Sequence, residues 1–85
     1  MEIDDWRNQI DEFDTQLLKL LAKRFELVHK IGQFKKKHSL PIIDKQRERT
    51  VLEHKLSEAK KLKLGSKFIT QLFALIIKES RSLQK

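Results

Sequence analysis

The 85-residue chain contains no cysteine. Disulfides, thiolate metal sites and cysteine nucleophiles are therefore excluded, and the composition suits a reducing compartment. Proline occurs once and glycine twice, so the backbone meets few residues that force a stop or a turn. Long apolar runs are missing as well: none approaches the roughly 18 residues of a membrane span. The opening Met1-Glu2-Ile3-Asp4-Asp5 has neither the basic flank nor the apolar core of a secretory signal. These absences lead to the expectation of a soluble, cytoplasmic protein that enters no membrane. Charged residues at 36% and hydrophobic ones at 39% set the chain apart from disordered sequences and fit a helical one. A net charge of +7 favours an anionic partner, whether nucleic acid, an acidic membrane surface or a small polyanion, and does not choose among them.

What is present is organised around the first 38 residues, which read as one helix. With Ile3 at position a of a heptad, Ile10, Leu17, Arg24, Ile31 and His38 follow at a, and Trp6, Phe13, Leu20, Leu27 and Phe34 fall at d. Only Arg24 and His38 break the apolar pattern. Arg24 sits in its middle among Leu20, Leu21, Phe25, Leu27 and Val28, where an unpaired guanidinium costs several kcal/mol. It is either half of a structural ion pair or an anion site. A helix of about 35 residues spans roughly 50 Å, whereas a compact globule of this size is only about 30 Å across. The helix must overhang its own domain, and its overhanging ends still carry Ile3, Trp6, Ile31 and Phe34. A homodimer with two such helices packed together is the expectation, because one domain of 85 residues buries only about 60 to 65% of its surface alone.

Asp4 or Asp5 is expected to cap this helix, and Lys35, Lys36 and Lys37 suit its negative end. The chain then breaks at His38-Ser39-Leu40-Pro41, and Asp44 is the natural cap of a second helix running to Leu62 or Leu64. Its apolar line is Val51, Leu52, Leu56, Ala59 and Leu62, with Lys55 laying its stem across the edge. Projected one turn back, the line leads to Arg47 and Glu48, a local structural pair or part of a site. Gly65 is expected as the left-handed stop and Ser66 as the next cap. A third helix carries Phe68, Ile69, Leu72, Phe73, Ile76 and Ile77, then Ser80 and Gln84 at successive i+4 steps, a polar end that means either fraying or function.

Arg24 and Lys35 are eleven residues apart, about 20° on the helical wheel and roughly 16 Å along the axis, so their long side chains can close on one metabolite. If the other helices fold back, Arg47 and Glu48 enter opposite that gap and Ser80 and Gln84 border it. Excess positive charge, one carboxylate, neutral donors and aliphatic walls suit a small dianion bearing a hydroxyl.

The order and spacing of these residues resemble the all-helical chorismate mutases of the AroQ class. The pattern comprises Arg7 in Trp6-Arg7-Asn8-Gln9-Ile10-Asp11, the stretch from Leu17 to Arg24, Gly32, Lys35, Pro41, Asp44 and Arg47-Glu48-Arg49. It ends with Ile76-Ile77-Lys78-Glu79-Ser80 and Gln84. The resemblance implies an all-α fold with residues 1–85 as a single domain, three helices per chain with a long first helix, in an intertwined homodimer. It implies the Claisen rearrangement of chorismate to prephenate, on the route to phenylalanine and tyrosine, with no metal and no cofactor. Arg24 and Arg7 from the second chain would hold the substrate's carboxylates with help from Ser80. Lys35 and Gln84 would donate to the ether oxygen, Glu48 and the Asp44 backbone would meet the ring hydroxyl, Arg47 would support the site, and Ile31 and Ile77 would wall it.

Such a reaction needs a clamped conformer and prepositioned donors, not a nucleophile, which agrees with the missing cysteine. An isochorismate pyruvate lyase of the same fold would use similar clamps, and relatives occur fused to, or working with, other enzymes of the aromatic pathway. A non-catalytic basic dimer binding nucleic acid or protein would instead display Lys60, Lys61, Lys63 and Lys67, and would leave Arg24 unexplained.

Overall fold

Glu2–Lys37 forms a single 36-residue helix, α1, in the computed structural model, which describes residues 1–85. Lys45–Lys61 forms α2 and Ser66–Leu83 forms α3. The fold is all-α with three helices, as the periodicity predicts. α1 starts earlier than expected: Met1 is its cap, with no side-chain hydrogen bond. The Met1 carbonyl takes the Asp4 and Asp5 backbone N–H groups, so those two carboxylates act on the helix dipole from inside the first turn instead of capping it. Lys35, Lys36 and Lys37 occupy the last turn, and the ring of His38 lies tilted against that of Phe34, with centroids 4.2 Å apart.

α1 stops at a left-handed Ser39 with φ 55°, where Leu40 N–H returns to the Lys35 carbonyl at 2.8 Å. The same device ends α2, but at Lys63 with φ 61°, as Leu64 N–H returns to the Ala59 carbonyl at 2.9 Å. Gly65 is therefore not the left-handed stop; it is extended, with φ −65° and ψ 129°, and is itself the cap residue of α3. Ser66 correspondingly lies inside the helix instead of capping it. The reason is positional: the stop motif favours an apolar pair between the residue after the left-handed one and the third from the helix end, and Leu64 with Ala59 supplies that pair for a stop two residues before the glycine. Asp44 does cap α2, its side chain accepting the Arg47 backbone N–H at 3.0 Å.

α3 packs against both α2 and α1, which do not pack on each other. Val28, Ala59 and Ile69 are its buried apolar centre, joined by Gly32 and Ser80. Gly32 is where α1 and the end of α3 touch, since a Cβ there would lie 2.8 Å from the Gln84 Cα. No helix is long and apolar enough to cross a membrane.

The chain measures 57 × 23 × 15 Å with a radius of gyration of 16.0 Å, against about 12 Å for a compact domain of this length. Its accessible surface is 7541 Å², against roughly 5,300 Å² for a globular protein of equal mass. Ten of the eighteen large apolar residues left exposed lie on α1. All nine apolar heptad positions, from Ile3 to Phe34, are between 42% and 62% exposed. The stripe that the pattern marks for burial is not buried by its own chain.

Candidate active site

The far end of α1, the start of α2 and the end of α3 enclose a cavity of about 140 Å³. Each element contributes the residues its periodicity aims inward. α1 supplies Arg24, Val28, Ile31 and Lys35; the loop and first turns of α2 supply Ile42, Asp44, Arg47, Glu48 and Val51; α3 supplies Ile77, Ser80, Arg81 and Gln84. Seven of the eight residues expected to hold a substrate thus line one pocket: Arg24, Lys35, Asp44, Arg47, Glu48, Ser80 and Gln84. Arg7 does not. It is 17 residues before Arg24 on the same straight helix, about 25 Å away, and its guanidinium stands in solvent with only Asp4 nearby at 3.8 Å.

The polar side chains hold one another in place. Arg24 Nη1 donates to Ser80 Oγ at 2.7 Å, and the Ser80 hydroxyl donates to the Ile76 carbonyl at 2.7 Å. Ser80, buried in the helix contact, therefore aims Arg24 and has no second proton to offer a ligand until its hydroxyl rotates. Lys35 Nζ donates to the Ile42 carbonyl and to Gln84 Oε1, each at 2.7 Å. Gln84 Nε2 donates to the Ser80 carbonyl at 3.1 Å. Both ends of that amide are engaged, so Gln84 is not a loose terminus. One ammonium hydrogen of Lys35 and one amide hydrogen of Gln84 stay uncommitted. They form a pair of adjacent donors at the cavity wall.

Glu48 lines the cavity but departs from the reading of a local pair with Arg47. Its partner is not Arg47 but Arg81, whose Nε donates to Oε2 at 2.7 Å while Nη2 donates to Oε1. That fork holds the Glu48 carboxyl below the usual carboxylate range, against an opposing push from burial, and raises the Arg81 guanidinium further. Arg81 is the site residue whose role sequence reasoning missed. The signal was available, because Arg81 stands one turn after Ile77 on the same α3 face. Ile42, Val28 and Val51 were missed as lining for a different reason: nothing in an apolar residue announces which cavity it faces.

Four cations, Arg24, Lys35, Arg47 and Arg81, face two carboxylates, Asp44 and Glu48, a surplus of two positive charges. Burial, and secondarily the charge of Arg47, pull the Arg24 pKa down from its ordinary value. A guanidinium partly desolvated and repelled by a second one is relieved when an anion enters. The arrangement can thus bind a small dianion and present two hydrogen-bond donors to an oxygen within it. Lys60, Lys61, Lys63 and Lys67 lie exposed around the α2–α3 turn, and none of them lines this cavity.

The sequence model of the family described as chorismate mutase type II matches residues 6–85. The chain belongs to the chorismate mutase type II family. It is similar to the bifunctional chorismate mutase/prephenate dehydratase of Buchnera aphidicola subsp. Acyrthosiphon pisum, with 44% identity over 80 residues, covering 94% of this chain and 21% of that protein. The T-protein of Haemophilus influenzae is 37% identical over 76 residues, covering 89% of this chain and 20% of its own length. The bifunctional chorismate mutase/prephenate dehydratase of Escherichia coli K12 is 40% identical over 74 residues, 87% of this chain and 19% of that one. The chain thus spans about a fifth of the length of these curated relatives, and within that span it corresponds to the chorismate mutase type II family.

Proposed function

We propose that this chain catalyses the Claisen rearrangement of chorismate to prephenate, as one catalytic domain of residues 1–85 in an intertwined homodimer, in the cytoplasm and in aromatic amino acid biosynthesis. The observation that carries the reading is the joining of Arg24, Lys35, Gln84 and Glu48 around one cavity with a surplus of two positive charges, within a chain of the chorismate mutase type II family. Chorismate is a dianion with a ring hydroxyl and an ether oxygen, and the cavity offers a complement to each.

Arg24 pairs with one carboxylate, and Arg7 of the partner subunit holds the other. Binding the two carboxylates at fixed separation folds the flexible enolpyruvyl side chain over the ring, which removes most of the entropy cost of reaching the reactive conformer. As the C–O bond opens and the new C–C bond forms, negative charge grows on the ether oxygen. The uncommitted hydrogens of Lys35 and Gln84 meet it there, already oriented by Ile42, Ser80 and each other, so little reorganisation is needed at the transition state. Glu48 and the Asp44 backbone take the ring hydroxyl, Arg47 adds positive potential from the rim, and Ile31 and Ile77 press on the ring faces. The electron pairs move within the substrate alone, and no proton need be transferred.

The dimer is supported by about 2,200 Å² of accessible surface in excess of a globular chain of this mass, which is of the order buried in obligate dimers. Two antiparallel α1 helices crossing near Leu17 and Leu18 cover each other's seams and bring each Arg7 opposite the stretch between Arg24 and Lys35. The test is direct: purified protein is added to chorismate and the loss of its ultraviolet absorbance is followed, with the product identified by NMR. Prephenate is expected at a rate proportional to enzyme. No loss above the spontaneous rate, or turnover of isochorismate to salicylate in its place, overturns the reading.

A further inference from the structure

The fork between Arg81 and Glu48 has no part in the reaction as set out above. Arg24 and Lys35 each face a group of the substrate, whereas Arg81 faces another side chain. α3 places it between Ser80 and Gln84 at the rim, 39% exposed, and from there it reaches back to Glu48 on the first turns of α2, 22% exposed. A one-bond contact would leave the Glu48 carboxylate free to spin about its last torsion; the two bonds from Nε and Nη2 fix its plane as well as its position. Each oxygen then spends one lone pair on Arg81 and keeps the other.

Charge sets a second requirement. A carboxylate in a pocket for a dianion repels its ligand, and without Arg81 the surplus of two positive charges would fall to one. The charged groups that share a pocket with Glu48 are Lys35 and Arg24 from α1, Asp44, Lys45, Arg47 and Arg49 from the start of its own helix, and Arg81 with Lys78 from α3. Of these, Arg81 alone bonds it; Lys35 adds a smaller pull toward the ionised form and Asp44 a push against it.

We propose that Arg81 is a positioning residue: by gripping Glu48 through two hydrogen bonds it orients the carboxylate so that the remaining lone pairs accept the substrate's ring hydroxyl, and it cancels the charge Glu48 would present to a dianion. The hydroxyl's part rests on the chorismate reading; the grip rests on geometry alone. Glu48 so held is a fixed acceptor and not a proton shuttle.

The test has two arms. In the first, the Glu48 side-chain carboxyl is titrated by ¹³C NMR in the substrate-free protein and in Arg81→Met. The wild-type group is expected to titrate below the ordinary glutamate range and the Arg81→Met group to move up toward it. Titration at the same pH in both proteins overturns the grip, whether or not chorismate is turned over. In the second arm, kcat and KM for chorismate are measured for Arg81→Met, Glu48→Gln and the double variant, with circular dichroism confirming helix content. Arg81→Met is expected to lower kcat about tenfold and the double variant no further than Glu48→Gln, because coupled residues do not add. Arg81→Lys, which keeps the charge and loses the fork, is expected to recover KM more than kcat and holds the test open should Arg81→Met fold poorly. Losses in kcat that multiply in the double variant overturn the proposal. Failure of the wild type to act on chorismate counts against the proposed function alone, and the NMR arm still decides the grip.

Discussion

Residues 2–20 and residues 21–37 lie on one unbroken helix and carry one heptad register, interrupted only at Arg24, yet the chain treats them differently. Every side chain of the first stretch is exposed, whereas the second holds Val28 and Gly32 buried and Leu21, Arg24, Phe25 and Lys35 half-buried against α3 and the site. The second stretch carries two demands on two faces: its heptad positions Leu27, Ile31 and Phe34 stay exposed while Val28, Gly32 and Lys35 turn to the chain's own helices. The first stretch carries only one. Periodicity therefore says that a face will be covered but not by what; a second apolar line beside the first, as through Leu21, Phe25 and Val28, is the mark of a helix that also serves its own fold.

The largest effect is expected from breaking the first region. Phe13→Glu places a carboxylate on the seam without a partner, a cost of several kcal/mol, in a chain that buries little by itself. Sedimentation is expected to show loss of the species of twice the chain mass, with collapse of cooperative thermal unfolding and of activity. A folded, active monomer would end the distinction drawn here between the two halves of α1.

Changes in the second region, or in the end of α3 that packs on it at Gly32, are expected to spare the dimer and strike catalysis. Gln84→Ala removes one of the two adjacent donors and is expected to lower kcat at least about 10²-fold, as for a lost oxyanion-type hydrogen bond, with the mass in solution unchanged. Gly32→Ala is a subtler version. Its Cβ would fall 2.8 Å from the Gln84 Cα, so the end of α3 must move and carry the Gln84 amide off line, for a loss of about 10- to 100-fold in kcat. Steady-state kinetics beside sedimentation separates both from Phe13→Glu.

The smallest effect concerns pH. Glu48 is held below the ordinary glutamate value in the folded state, so the folded state binds fewer protons than the unfolded one near that value. Its contribution to stability is present above about pH 4.3 and is lost as pH falls through the lower folded value. Melting temperatures taken downward from pH 6 are expected to decline less steeply with pH in Glu48→Gln than in the wild type below about pH 4. The apolar seam has no such group and is indifferent to this change.

Much of this was legible in the chain. Arg24 within an apolar stripe, Glu48 continuing the face of Val51 and Leu52, and Ser80 and Gln84 continuing that of Ile76 all mark where a core face becomes a site, and these residues line one cavity. Position along a helix is a local property, and local properties can be read. Pairing is not local: that Glu48 would take Arg81, 33 residues away, over the adjacent Arg47 depends on how α3 crosses α2. The helix stop at Lys63 was hidden for a related reason, since Gly65 has the better intrinsic preference for a left-handed turn and lost to the apolar spacing of Ala59 and Leu64. Gly32 entered the sequence reading only as part of the family pattern, and its use became clear once Gln84 lay against it.

If the first region of α1 serves the site of another copy, activity returns when two inactive variants are mixed. Arg7→Ala and Arg24→Ala homodimers each lack one clamp at every site and are expected to be nearly inactive. Unfolded together and refolded, half of the dimers in a random mixture are heterodimers, and each of these has one site missing both arginines and one missing neither. Recovery of about one quarter of wild-type activity per chain is expected, appearing only on mixing, with the heterodimer confirmed by native mass. Heterodimers that form and stay inactive would contradict it, and would return Arg7 to what it is in the single chain, an exposed arginine beside Asp4.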